Sequence, residues 1–226
     1  TGLATTPVIN TSRPASPTAA VSTAHRILGV QWLRAIASTM VVVYHAQLQV
    51  WRLSAGQHRG NLAFLAAGTD LLLVISGFFL VLSARKPGVT PGRFVLARLA
   101  RIAPLYWALT AAVLASLVLA PGAFYSSRLE TVHVAASFAF LPAAHPVSQL
   151  YKPLLVPGWT LNYLVPVVLL FAVLMTLSCR RAAAICAGLV ALAGLLGAAL
   201  PETHTIVDFY THPVVLDFAA GMLAAE

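Results

Sequence analysis

The sequence predicts an all-α polytopic integral membrane protein, a bundle of about six membrane-crossing helices. Of the 226 residues, 59% are hydrophobic and 9% are charged, whereas about 25% of the residues of a typical soluble domain are charged. The mean hydropathy is +0.86. The apolar residues gather into runs of about 20, the length that a helix needs to cross about 30 Å of hydrocarbon. These observations exclude a soluble globular protein.

The predicted elements follow in chain order. Residues 1–24 are rich in Thr, Ser, Pro and Ala and lack apolar periodicity, so we expect a disordered tail. Residues 25–226 form one predicted transmembrane domain. Its spanning runs are 30–50, 62–82, 102–120, 159–179, 182–200 and one that begins near 214. The chain ends inside this last run, so we expect an incomplete bundle. The run 132–142 is too short to span, and we expect a re-entrant or interfacial helix there.

The fourteen lysines and arginines predict the orientation, because cytoplasmic loops carry an excess of these residues. With a cytoplasmic N-terminus, ten fall on the cytoplasmic side and four on the other. The ten are Arg13, Arg26, Arg34, Arg85, Lys86, Arg93, Arg98, Arg101, Arg180 and Arg181; the four are Arg52, Arg59, Arg128 and Lys152. The net charge of +8 does not indicate nucleic-acid binding, since no basic cluster alternates with aromatic residues.

Three ionisable residues, Arg34, His45 and Asp70, lie inside apolar runs, where each costs about 2.5–3.5 kcal/mol and usually marks a site. Arg34 and His45 are eleven residues apart and therefore share one helical face. Asp70 is eight residues into the second run, at a depth similar to that of His45, so we expect the two to meet. Asp70 would hold the imidazole while His45 removes a proton from a substrate hydroxyl. The alternative is a structural hydrogen bond between two helices.

Two further groups of polar residues border the apolar runs. Arg98 and Arg101 share a helical face just before the third run, where they either anchor the helix at the membrane surface or bind phosphate groups. The segment 158–163 opens the fourth run. Its Trp159 suits an interface, and its Asn162 is a buried amide that requires a partner.

The remaining small and polar residues predict packing or solvation. We expect Gly77, Gly188, Gly194 and Gly197 to pack helices together. Cys179 and Cys186 are seven residues apart, about 10 Å along a helix, which is too far for a disulfide. We expect the other histidines to be solvated or interfacial, since their spacing matches no metal-ligand pattern, and we expect no metal site. They are His25, His58, His133, His145, His204 and His212.

Five segments taken together resemble one protein family. They are Leu28 to Ala37 with Val41 to Ala46, Gly68 to Phe78, Arg98 to Trp107, Gly158 to Tyr163, and Leu216 to Leu223. In this order, over about residues 26–226, they resemble the acyltransferase-3 family of bacterial multipass membrane acyltransferases, and especially its exopolysaccharide-modifying branch.

The resemblance implies transfer of an acyl group, usually acetyl, from cytoplasmic acyl-CoA to a hydroxyl of a cell-surface polysaccharide or a related, lipid-linked glycan. It implies a multipass protein of the bacterial inner membrane that contacts lipid. It places the active site at Arg34 and His45 and the donor's phosphates at Arg98 and Arg101. With these we place Asp70 as the partner of His45, and Trp159 and Asn162 at the substrate.

The sequence departs from this family at two places. Relatives carry a glutamate at the position of Leu164, and they continue with further helices after the segment that ends here at Glu226. Two alternatives therefore stay open: an inactive, truncated homologue, and a proton-coupled transporter, which also places Arg, His and Asp inside a membrane.

Overall fold

The computed structural model describes residues 17–54, 62–120, 129–201 and 205–226. Helices make up the regular structure of these ranges. They are α1 Pro17–Leu53, α2 Ala67–Ala84, α3 Pro91–Leu119, α4 Thr131–Phe138, α5 Trp159–Leu174, α6 Cys179–Ala199, α7 Ile206–Thr211 and α8 Val215–Ala224. Short 3-10 turns, Ala63–Ala66 and Val156–Gly158, precede α2 and α5.

Within the described ranges, five helical segments are long and apolar enough to cross a membrane, which confirms the all-α polytopic prediction. They are Ala63–Ala84, Pro91–Leu119, Val156–Leu174, Cys179–Ala199 and Ile206–Ala224. The sixth predicted crossing, 30–50, lies inside α1, which is not among the five.

Two helices, α1 and α3, begin earlier in the chain than the predicted runs, because polar residues form their first turns. α1 begins at Pro17, so part of the predicted tail is helical, while residues 1–16 lie outside the described ranges. α3 begins eleven residues before the predicted run at 102, since the Thr90 hydroxyl accepts a hydrogen bond from the Arg93 amide and Pro91 occupies the first helical position.

Two glycines let α2 and α8 pack with their backbones close together. A Cβ at Gly77 would overlap the carbonyl oxygen of Phe218, and a Cβ at Gly221 would overlap that of Val74. Small residues at a helix crossing permit this approach. The packing predicted for Gly77 is confirmed, as it is for Gly194 against Leu216 and Gly197 against Thr211. It is wrong for Gly188, whose Cβ position has no heavy atom of another described segment within 4 Å.

One carboxylate joins the ends of three helices. Glu226, which follows α8, pairs with Arg85 after α2 at 2.7 Å and with Arg180 at the start of α6 at 3.8 Å. We call this the Glu226 end of the bundle. Arg85 and Arg180 were both predicted to face the cytoplasm, and the structure places them at one end.

The helix α4 has eight residues and, as predicted, is too short to span. Its C-terminal end is bonded to the middle of α3: the Tyr106 hydroxyl donates to the Ser137 carbonyl and the Trp107 indole to the Phe138 carbonyl, both at 2.9 Å. A helix that ends halfway along its neighbour agrees with the re-entrant interpretation.

His133 and His145 were expected to be solvated or interfacial; they are not solvated, because both are buried beside α4. The Nε2–H of His133 donates to the Lys152 carbonyl at 2.8 Å, and the ring packs edge-on against His145 at 5.3 Å. The Nδ1 of His145 accepts from the amides of Val147 and Ser148. Burial, then the charges of His133 and Lys152, lower the pKa of His145. Imidazoles bonded to the backbone are suited to an interior. His58 and His204 lie outside the described residues.

Candidate active site

Two arginines from different helices, Arg98 and Arg34, reach the C-terminal half of α2, and a third, Arg101, follows Arg98 by three residues on α3. The Arg98 Nη2 donates to the Phe79 carbonyl at 2.6 Å and to the Ser83 hydroxyl at 2.8 Å. The Cζ of Arg34 lies 5.1 Å from the centre of the Phe79 ring. Arg34 and Arg101 both act electrostatically on Arg98. We call Arg34, Arg98 and Arg101 the arginine cluster.

The local sequence explains how these cations come together. Arg98 and Arg101 are three residues apart on α3 and so share a face. The antiparallel packing of α1 against α2 brings Arg34 to the same place, since Gly68 near the start of α2 lies against Ala37 of α1. Ser83 is two residues before Arg85, so the arginine cluster lies toward the Glu226 end.

Among the described residues, no carboxylate forms an ion pair with the arginine cluster. Glu226 pairs with Arg85 and Arg180, which lie outside the cluster. The Nε of Arg98 is also buried without a hydrogen-bond partner. A buried polar atom without a partner costs about 1–3 kcal/mol. Guanidinium groups match phosphate oxygens in geometry and charge. The arginine cluster is therefore suited to bind an anion.

His45 lies farther along α1 and away from Asp70. Its ring is half-buried and packs edge-on against Tyr44 at 5.8 Å. Among the described residues, no hydrogen bond or ion pair joins His45 to Asp70, so the expected contact is not present. Asp70 is exposed. The charge of Asp70 acts on Asp217 of α8.

The register of α1 against α2 explains this separation. Gly68 lies against the turn of α1 formed by residues 37–41, four to eight residues before His45, and Asp70 lies two residues farther from His45 along the antiparallel pair. At 1.5 Å per residue, His45 and Asp70 are about 9–15 Å apart along the helix axis. From the sequence, His45 and Asp70 were placed at similar depths below the same membrane surface, with the first crossing ending at residue 50. In the structure α1 continues to Leu53.

The start of α5 contains the predicted substrate residues. Asn162 is fully buried, and neither its oxygen nor its nitrogen has a hydrogen-bond partner in the part of the chain that the structure describes. Trp159 is half-buried and packs edge-on against Tyr163 at 5.7 Å. Leu164 belongs to the apolar core. A carboxylate is thus absent from this position, and its surroundings are hydrophobic.

The sequence reasoning missed the part of α2 that holds the arginine cluster. Phe79 and Ser83 are four residues apart and occupy one face of α2. A serine one turn after an aromatic residue is a weak signal in a run as apolar as this one. Their role depends on the neighbouring helix, which no local pattern specifies.

Comparison with known proteins relates this arrangement to one family. The family model described as Acyltransferase domain matches residues 27–226. The chain is 35% identical over 161 residues to Exopolysaccharide production protein ExoZ of Rhizobium meliloti (strain 1021), an alignment that covers 71% of this chain and 50% of that relative. The chain spans about half the length of this curated relative. No solved structure matches the chain.

Proposed function

Because the chain belongs to the acyltransferase family whose domain matches its residues 27–226, we propose that it is part of a membrane O-acyltransferase acting on exopolysaccharide. It transfers an acyl group, which we propose is acetyl, from cytoplasmic acyl-CoA to a hydroxyl of the polysaccharide or its lipid-linked precursor. The observation that carries the proposal is the arginine cluster without a carboxylate partner among the described residues. The name of the ExoZ relative supports the class of acceptor.

The donor binds by its phosphates at the arginine cluster. Arg98 and Arg101 contact phosphate oxygens, and Arg34 adds the third positive charge. This places the donor's charged part toward the Glu226 end, which we propose faces the cytoplasm of a bacterial inner membrane, with the N-terminus on the same side. The acyl-bearing arm then extends into the bundle along α1.

His45 accepts the proton of the acceptor hydroxyl. The hydroxyl oxygen attacks the thioester carbonyl carbon, the carbon–sulfur bond breaks, and the CoA thiolate leaves and is protonated. His45 lies eleven residues beyond Arg34, about 16 Å along α1, so the donor must reach that far from its phosphates. We assign Asp70 no part in this step, because its register on α2 holds it away from the imidazole.

The acceptor contacts Trp159 and Asn162. An indole face packs against a sugar ring, and an amide both donates and accepts hydrogen bonds, as hydroxyl groups require. The buried, unpartnered amide of Asn162 supports this assignment, since such a group is costly unless it has a ligand.

We expect Asn162→Leu to stabilise the protein by about 1–3 kcal/mol, because it removes an unpaired buried amide at similar volume, and to lower acyl transfer. Thermal unfolding and transfer rates measured on the same preparations test this result. Leu161→Met, at the adjacent half-buried position, is the control and should change neither quantity. A more stable variant with unchanged transfer would remove Asn162 from the substrate site.

Labelled acetyl-CoA supplied to membranes that contain the full-length protein and exopolysaccharide tests the proposed function. Arg98→Gln and Arg101→Gln should each raise the KM for acetyl-CoA about tenfold or more, since each loses charge-assisted hydrogen bonds. Arg93→Gln is the matched control, because Arg93 is an exposed cation on the same helix, outside the arginine cluster.

The same assay separates the alternatives. If all three variants had the same KM for acetyl-CoA, Arg98 and Arg101 would have no role in donor binding and would only anchor the helix at the membrane surface. Absence of label in the polysaccharide would contradict an acyltransferase, and flux of a substrate into vesicles would then indicate a transporter.

A further inference from the structure

Ser83 has a contact that no local pattern in α2 explains. Its hydroxyl accepts a hydrogen bond from Arg98 Nη2 at 2.8 Å across two helices and donates to the Leu80 carbonyl at 3.1 Å. The same Nη2 donates to the Phe79 carbonyl at 2.6 Å. Both hydrogens of Nη2 are therefore engaged by α2.

We propose that Ser83 is a positioning residue of the donor site, which holds the Arg98 guanidinium so that its Nε and Nη1 face the donor's phosphate. This inference rests on the proposed function. Neither atom has a hydrogen-bond partner among the described residues, and the Nε is buried. The bonds to Phe79 and Ser83 thus occupy one nitrogen and leave the other two for a ligand.

The surrounding contacts restrict the guanidinium further. Its Cζ lies 5.2 Å from the centre of the Phe94 ring, a cation–π contact from its own helix. With α2 holding one nitrogen and Phe94 beneath the plane, the side chain has few rotamers left. A cation ordered before binding loses less entropy when the ligand arrives.

The other described serines within α2 and α3 differ from Ser83 in what they contact. Ser76 donates to the Leu72 carbonyl at 2.7 Å, and Ser116 donates to the Ala112 carbonyl at 2.8 Å, each within its own helix. Bonds of this kind satisfy the hydroxyl and position nothing else. Of the three, Ser83 alone bonds an arginine of the cluster.

The test compares two variants of nearly equal shape that differ in the hydroxyl. Full-length protein with Ser83→Thr or Ser83→Val is purified in detergent, and equilibrium binding of CoA is measured. We expect Thr to bind CoA within twofold of the wild type and Val to bind about fivefold more weakly, as the loss of one charge-assisted hydrogen bond implies. Ser116→Thr and Ser116→Val are the controls, and both should bind like the wild type.

A second readout separates positioning from a general structural role. In acyl transfer, Ser83→Val should raise the KM for the donor and leave kcat unchanged, and its thermal midpoint should match that of Ser83→Thr. If Val impairs folding, Ser83→Ala takes its place with the same expectations.

Each outcome decides the proposal. Equal CoA affinity of the Thr and Val variants would overturn the role of Ser83, as would a lower kcat at unchanged KM. Failure of the wild type to bind CoA would instead overturn the donor assignment of the proposed function, so the two failures are distinguishable.

Discussion

Replacing Gly221 with alanine is expected to lower the free energy of unfolding by about 3 kcal/mol, because overpacking of a close contact costs this much. The added Cβ would overlap the Val74 carbonyl and lie 2.9 Å from the Phe78 amide nitrogen. All of these atoms belong to backbone, so no side chain can turn aside. The two helices must separate, which opens the core around Phe218 and Met222, both fully buried.

Gly188→Ala is the matched control for this substitution. Gly188 lies inside α6 with no heavy atom within 4 Å of its Cβ position, so alanine should stabilise the helix by about 1 kcal/mol through its propensity. Denaturant unfolding in detergent compares the two. If Gly221→Ala proved as stable as Gly188→Ala, the close crossing of α2 and α8 would be contradicted.

Replacing His45 with alanine is expected to lower acyl transfer by about 10²–10⁴-fold, the usual contribution of a general base. Donor binding should persist, because the arginine cluster lies about 16 Å away along α1. We therefore expect kcat to fall while the affinity for CoA stays the same. Transfer of labelled acetyl and equilibrium binding of CoA, measured on one preparation, give both quantities.

Two further measurements sharpen the His45 prediction. Added imidazole should restore part of the transfer in His45→Ala by supplying the missing base. His212→Ala is the control, since His212 is exposed in the turn between α7 and α8 and should keep full activity. Normal transfer by His45→Ala without imidazole would remove this histidine from the mechanism.

Much of the fold and part of the candidate site could be predicted from local sequence. Five of the six predicted apolar runs coincide with candidate spanning helices, and the eight-residue length of α4 agrees with a run too short to cross. The i, i+3 spacing of Arg98 and Arg101 placed both on one face. Gly77 was predicted to pack and does so against Phe218.

The predictions that failed concern relations between separate elements. The meeting of His45 with Asp70 assumed a register for α1 against α2 that Gly68, seated against Ala37, does not allow. The expectation that His133 and His145 are solvated or interfacial ignored the backbone groups that bond the Nε2 of His133 and the Nδ1 of His145. In each case the deciding neighbour is distant in sequence.

The sequence by itself determined the helical membrane fold, because hydropathy and helical periodicity are properties of consecutive residues, and five short segments carried the resemblance that identified the family. Only the tertiary structure decided which of these residues meet: Arg34 joins Arg98 and Arg101, while Asp70 makes no contact with His45 among the described residues. The reason is that the register between helices depends on where small residues let two backbones touch, and that choice involves both helices at once.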